Sequence, residues 1–389
     1  MKIGLVLPSV PAYSETFFRN KIIGLQKLGY EVVLFVNNPT PQKFDLCKVV
    51  YSPNISKKTS LVRQLFIFIV QVAFNFKKVQ KLINLQKKEG YTRKENIKNL
   101  FLNAHFLNQK LDWLHFGFGT MAIGREHIAE VIQAKMAVSF RGFDLYIYPV
   151  KHPKCYDLLF TKKVKYHVLS AEMKQTLLQK NIVDENIKII TPAIDTEQFF
   201  LKKNVTPKTQ NSKLKILSIA RLHWIKGLDY TLEALSLVKN NGLNFTYTII
   251  GAGVEEERLR FTAHQLGIAE HIIFAGKKNP DQVIDELRNA DIYLQYSIQE
   301  GFCNAVLEAQ AMGLLCIVSD ADGLQENVLH NQTGWVVAKR NPELLAQKII
   351  DVVSLSQEQK NTISTNAVER VKNNFTLANQ IKIFQNFYS

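Results

Sequence analysis

The sequence predicts an α/β protein made of two doubly wound parallel-sheet domains. Three observations predict it. The chain has 389 residues, more than one ordinary core accommodates and enough for two domains of roughly 150–200 residues. In both halves short apolar runs alternate with longer amphipathic runs, the pattern of βαβ units that bind ligands at their strand C-termini. A polar stretch without apolar period, 201–213 (LKKNVTPKTQNSK), separates the halves. The expected domains are 1–200 and 201–372, with a helical segment over 373–389.

Composition bounds the function. Hydrophobic content of 46% and charged content of 21% are globular values. A net charge of +15 points to phosphorylated ligands, polyanions or an anionic membrane. Cys47, Cys155, Cys303 and Cys316 show no C-x-x-C spacing and read as reduced thiols of a cytoplasmic protein. No apolar run reaches about 18 residues, so no membrane span is expected. Met1–Leu7 is already strand-like, which argues against a signal peptide. No aromatic–basic module for nucleic acid is evident.

Along the first half, Lys2–Leu7 is a buried strand and Glu31–Val36 the next. Ser14 or Thr16 can cap the helix between them, and Gly29 ends it. The first loop lacks G-x-G-x-x-G, which disfavours a dinucleotide cofactor and hence a dehydrogenase. Leu61–Leu85 is apolar at first, then basic at Lys77, Lys78 and Lys81, with Lys87 and Lys88 beyond. It reads either as a buried helix with a solvated basic end or as a surface lying on an anionic membrane. Asp112–Phe116, Met136–Phe140, Tyr166–Ser170 and Ile187–Ile190 are further strands. His115 lies near the end of one of them, and Arg141 and Asp144 follow another.

Along the second half, Leu214–Arg221 is a buried strand with Arg221 at its end and Lys226 five positions on, before Gly227. Two cations at a strand end suit paired phosphates, Arg as a fork and Lys as a point charge. Strands follow at Phe245–Ile250, which runs into Gly251, and at His271–Ala275, which runs into Gly276, Lys277 and Lys278. Pro280 begins a helix. Ile292–Gln295, Leu315–Ser319 and Trp335–Ala338 complete the strands. The D-x-D at Asp320 and Asp322 is read as an incidental acidic turn, so no metal is expected.

Between two of these strands lies QEGFCNAVLEAQAMG. Glu300 closes a loop and Glu308 lies in the helix, ~12 Å apart along the axis and within about a quarter turn. Gly301 admits close backbone approach. The amides of Phe302, Cys303 and Asn304 open the helix and can face an anion.

This stretch resembles the E-x7-E signature of the family-4 retaining glycosyltransferases, down to the E-G-F opening, N-A-V-L-E-A and A-M-G. S-I-A-R-L-H-W-I-K-G-L-D resembles the same family's G-R-L-x-x-x-K-G-x-D, and S-F-R-G-F-D its S-F-H-G-x-D, with Arg141 where the histidine stands. S-E-T-F in the first loop resembles the exopolysaccharide branch. Cys303 stands where the family usually has proline. The resemblance implies the GT-B fold, two Rossmann-like domains facing a cleft, with the last helix crossing back onto the first. It implies a nucleoside-diphosphate sugar as donor, no cofactor and a retaining, metal-independent transfer. Arg221, Lys226, Gly251, Lys278, Glu300, Gly301, Phe302, Cys303, Asn304 and Glu308 would form the donor site, with Glu300, Arg141, Arg221 and Lys226 nearest the chemistry. Ser14, Glu15, Thr16, His115 and Asp144 would face the acceptor, a glycan or lipid-linked oligosaccharide. The net charge and the 61–88 stretch fit an enzyme bound peripherally at the inner face of the membrane. A non-catalytic sugar-nucleotide binder remains as an alternative because Arg141, which cannot act as a base, replaces the histidine; a GT-B epimerase shares the architecture, but Arg141 fits its need for bases poorly.

Overall fold

The computed structural model describes residues 1–11, 16–37, 44–53, 58–200 and 213–389. The proposed contacts of Ser14 and Glu15 and most of the polar 201–213 stretch lie outside them. The chain divides into two compact units, 1–190 with 381–389, and 191–380.

Among the described residues the first unit holds seven strands. They are β1 (Lys2–Leu7), β2 (Glu31–Val36), β3 (Lys48–Tyr51), β4 (Trp113–Phe116), β5 (Lys135–Ser139), β6 (Val164–Val168) and β7 (Ile187–Ile189). Their order is β3-β2-β1-β4-β5-β6-β7, and the pairs are parallel, with Ile3 opposite both Val32 and Trp113. β1, β2 and β4 are apolar along nearly their whole length because helices cover both faces of a parallel sheet. The order reverses between β1 and β4, which opens a crevice at their C-terminal ends. β3 is a four-residue, partly exposed edge strand, too short to leave a period in the sequence.

The 61–85 stretch is two helices, Lys58–Phe74 and Phe76–Lys88, interrupted at Asn75, whose side chain bonds back to the Gln71 carbonyl at 2.8 Å. The first of them is not a buried helix. Phe66, Ile69 and Phe74 on it are exposed, Phe66 by 68% and Phe74 by 84%. Phe68 packs edge-on against Phe101 of the next helix, Arg93–Leu107. A Thr92–Glu95 capping box begins that helix, a signal the T-x-x-E spacing carries.

The second unit repeats the scheme. Its strands are β8 (Leu214–Ile219), β9 (Phe245–Ile250), β10 (Ile272–Gly276), β11 (Ile292–Gln295), β12 (Leu315–Ser319) and β13 (Trp335–Val337), in the order β10-β9-β8-β11-β12-β13. Its switch point lies between β8 and β11, where Ile216 and Leu217 face Ile292 and Tyr293.

The unit begins at Thr191 rather than at 201. Ile194 bonds to the Phe375 carbonyl at 3.0 Å, and Gln380 bonds to the Thr191 carbonyl at 2.7 Å, so 191–200 is held there. The last helix begins at Leu377, not 373, because residues 373 and 374 finish the preceding helix, Gln357–Asn374. Its final turn packs in the first unit. Phe384, Phe387 and Tyr388 are buried, and the Trp113 indole donates to the Tyr388 carbonyl at 2.8 Å. Among the described residues no helix is long and apolar enough to cross a membrane.

Candidate functional site

The β8–β11 switch point brings two loops together. The loop after β8 carries Arg221, which is exposed, and ends in a short turn, Trp224–Lys226. Gly227 follows with φ +58°, and a Cβ there would stand 2.3 Å from the Tyr296 carbonyl oxygen. Only glycine lets this loop lie so close against the loop after β11.

That closeness pairs Lys226 with Glu300. The ammonium contacts Glu300 Oε2 with the two side chains only 16% and 14% exposed. Burial pulls the Lys226 ammonium down, but the Glu300 carboxylate outweighs it and holds the group above its ordinary value. The same carboxylate oxygen accepts from the Ser297 hydroxyl at 3.2 Å. Gln295 donates to Ser297 at 2.9 Å, and the Tyr293 hydroxyl donates to Gln295 at 3.0 Å. Glu300 is thus the outer end of a hydrogen-bonded row along β11, which fixes its direction.

The helix Asn304–Ala311 begins beside this pair, with Cys303 as its N-cap. Glu308 is half-buried on it, and burial pushes its carboxyl up to about 7. Such a group is partly neutral near pH 7 and can donate as well as accept a hydrogen bond.

Several expected donor contacts are spent inside the protein. The Cys303 amide donates to Asn327 Oδ1 at 2.9 Å and so does not face an anion. Burial pushes the Cys303 thiol up to about 12, leaving it protonated and inert. Phe302 is buried, with its ring 5.8 Å from that of Phe375. Gly251 packs beneath the site. Its N–H bonds to Gly276, and a Cβ would stand 1.9 Å from the Ala220 carbonyl. The Lys278 ammonium is bound by Glu286 on the helix Pro280–Asn289 that follows it. Asp320 accepts from the Lys339 amide at 2.8 Å, so the D-x-D braces the turn after β12. Arg221, Lys226, Glu300, Gly301, Asn304 and Glu308 remain around the crevice.

In the first unit the acceptor-side expectations divide. Thr16 begins the helix Thr16–Lys27 and is exposed. His115 is fully buried and does not face an acceptor. Its Nε2 pairs with the Ser139 hydroxyl at 2.7 Å, and its Nδ1 contacts the Tyr388 hydroxyl and Lys21. The Ser139 hydroxyl reaches His167 at 2.7 Å. Burial, then the charge of Arg141, holds the Lys21 ammonium well below its ordinary value. Burial, followed by the Lys21 charge, holds the His115 imidazole down, so it stays neutral. Asp144 is also buried, accepting from the amides of Gly119 and Arg141 at 2.8 Å each. It shapes the turn that presents Arg141, whose guanidinium stacks 4.0 Å over the Phe17 ring. Burial holds the Asp144 carboxyl above its ordinary value.

Residues 200–370 match the family model described as glycosyl transferases group 1. That stretch, less than half of the chain, is similar to the group 1 glycosyl transferases. Over its whole length the chain is similar to the putative colanic acid biosynthesis glycosyltransferase WcaL of Escherichia coli K12, 26% identical across 96% of both chains. It is 28% identical to the amylovoran biosynthesis glycosyltransferase AmsK of Erwinia amylovora across 67% of this chain and 64% of that one. Its fold matches HepE of Anabaena, solved with UDP and glucose, at a TM-score of 0.71 and 14% identity over 99% of this chain and 98% of that one. The chain therefore has the GT-B fold.

Proposed function

We propose that this glycosyltransferase moves a sugar from a UDP- or GDP-linked donor to a lipid-linked glycan acceptor in bacterial surface polysaccharide synthesis, with retention of anomeric configuration and without a metal ion. The observation that carries it is the Lys226–Glu300 pair at the start of the Asn304 helix, beside exposed Arg221. An ammonium has three donors. Glu300 takes one, leaving two for diphosphate oxygens. Arg221 supplies a planar fork, and the Asn304 end of the helix adds its positive pole. Together these offset the negative charge that grows on the leaving diphosphate. Glu308 contacts ribose hydroxyls and Glu300 the sugar. The acceptor hydroxyl attacks the anomeric carbon on the face the diphosphate leaves. The new C–O bond forms as the old one breaks, and a phosphate oxygen takes the proton.

The second domain binds the donor in this reading, and the first binds the acceptor. WcaL and AmsK are named for colanic acid and amylovoran biosynthesis, which supports a related pathway here. The exposed apolar face of the helix Lys58–Phe74 beside Lys77, Lys87 and Lys88 supports peripheral docking on the anionic cytoplasmic face of the membrane. Lys78 and Lys81 contribute less to docking, because they bond to the Leu107 carbonyl and to Glu130.

The test is a thermal-shift screen against UDP- and GDP-sugars, followed by transfer to a lipid-linked acceptor and assignment of the product anomer. Stabilisation by one donor series, retained configuration and turnover in EDTA are expected. An inverted anomer, or complete loss in EDTA reversed by manganese, overturns the proposed chemistry.

A further inference from the structure

The backbone that begins the Asn304 helix takes much of its support from residues distant in sequence. Cys303 offers no side-chain cap to the helix. Its support comes from residues 323–327 and from the end of the helix Gln357–Asn374. The Gly323 amide bonds to the Glu300 carbonyl at 3.0 Å. A Cβ on Gly323 would stand 1.9 Å from the Gly301 carbonyl oxygen, so the two backbones touch. The Asn327 side chain is fully buried and grips Cys303 at both ends. Its Oδ1 accepts from the Cys303 amide at 2.9 Å, and its Nδ2 donates to the Cys303 carbonyl at 3.0 Å. The backbone of Asn327 is held in turn by Arg370, whose guanidinium donates to the carbonyls of Asn327 and Glu326 at 2.7 and 2.6 Å. Arg370 lies 4.8 Å over the Phe375 ring, which faces Phe302. Residues 300, 301, 302 and 303 are each braced from this one side.

We propose that Asn327 and Arg370 are positioning residues for the donor. They hold the backbone that leads into the Asn304 helix without touching the diphosphate, while Ser297 and Lys226 direct the Glu300 side chain, and this role rests on the donor site proposed above. A buried amide pair satisfied at both ends is rigid, and removing one partner leaves the buried Cys303 N–H unpaired and its carbonyl with only the Leu307 amide at 3.4 Å. The loop then samples other shapes, and a preformed anion site becomes one that must be ordered on binding.

Full-length protein and the variants Asn327→Ala, Asn327→Ser, Arg370→Ala and Arg370→Lys are compared by amide hydrogen exchange and by calorimetric titration with UDP and GDP. Exchange of 298–307 should rise at least tenfold in both alanine variants while β8 and β9 stay protected. Affinity for the nucleotide that binds wild type should fall at least fivefold, and the double alanine variant should be less than additive because both residues act on one loop. Arg370→Lys should retain part of the affinity. Unchanged exchange over 298–307, or loss of protection throughout the second domain, overturns the brace. If an alanine variant does not fold, Asn327→Ser and Arg370→Lys decide the same comparison. Wild type that binds neither UDP nor GDP refutes the donor site, and the exchange pattern still decides the brace.

Discussion

Glu308→Gln separates what the carboxylate contributes to function from what it costs the fold. Burial raises the folded-state carboxyl from 4.5 to about 7. Ionising it inside the protein therefore costs roughly 3 kcal/mol more than in water, and partial exposure makes this an upper figure. The sign follows from linkage. A raised folded value stabilises below the unfolded value of about 4.5, and that contribution is lost as pH rises through about 7. Glutamine has the shape without the charge. The variant should match wild type near pH 4.5 and exceed it by up to about 3 kcal/mol at pH 8, read from urea unfolding of both proteins at steps across that range. The same variant should bind the donor at least about tenfold more weakly, about 1.4 kcal/mol, because an amide cannot present two acceptors to a ribose diol. Stability without activity is the usual trade at a binding group held under strain. A stability difference that does not change with pH would refute the desolvation argument. Undiminished donor affinity would refute the ribose contact.

Further outcomes follow from the same geometry. Arg221→Ala and Lys226→Ala should each lower kcat/KM by at least about tenfold, and near-normal kinetics in both would remove the diphosphate site. Phe66→Glu combined with Phe74→Glu should abolish co-sedimentation with anionic vesicles, whereas Lys81→Gln should change it little, since Lys81 is paired with Glu130. Unchanged binding of the glutamate variant would refute docking through this face. Tyr388→Phe keeps the ring but removes the hydroxyl from His115. It should destabilise the first domain by about 1–2 kcal/mol in urea unfolding, and a neutral result would mean the buried row does not depend on that contact.

Much of this protein was legible as local pattern. Strand runs such as KIGLVL and EVVLFV are apolar on both faces, and their bounds follow from that. The Pro280 helix start was set by a capping box and a proline within a few residues, whereas the start of the 304–311 helix and the loop after β8 also take support from residues distant in sequence. Among the elements that escaped, β3 and the helices at 93–107 and 357–374 have short or mostly polar sequences. For the two helices only the capping boxes Thr92–Glu95 and Ser356–Gln359 signal the start.

Tertiary structure alone decided which groups meet. Lys226 and Glu300 are 74 positions apart and become partners because β8 and β11 are neighbours. The same adjacency logic took His115 out of reach of any acceptor, placing it in the core under Tyr388, 273 positions away. It also turned the Cys303 amide from an anion donor into the partner of Asn327. Periodicity reports which face of an element is apolar. It does not report what lies across from that face, and burial, charge and hydrogen-bond availability all depend on the neighbour.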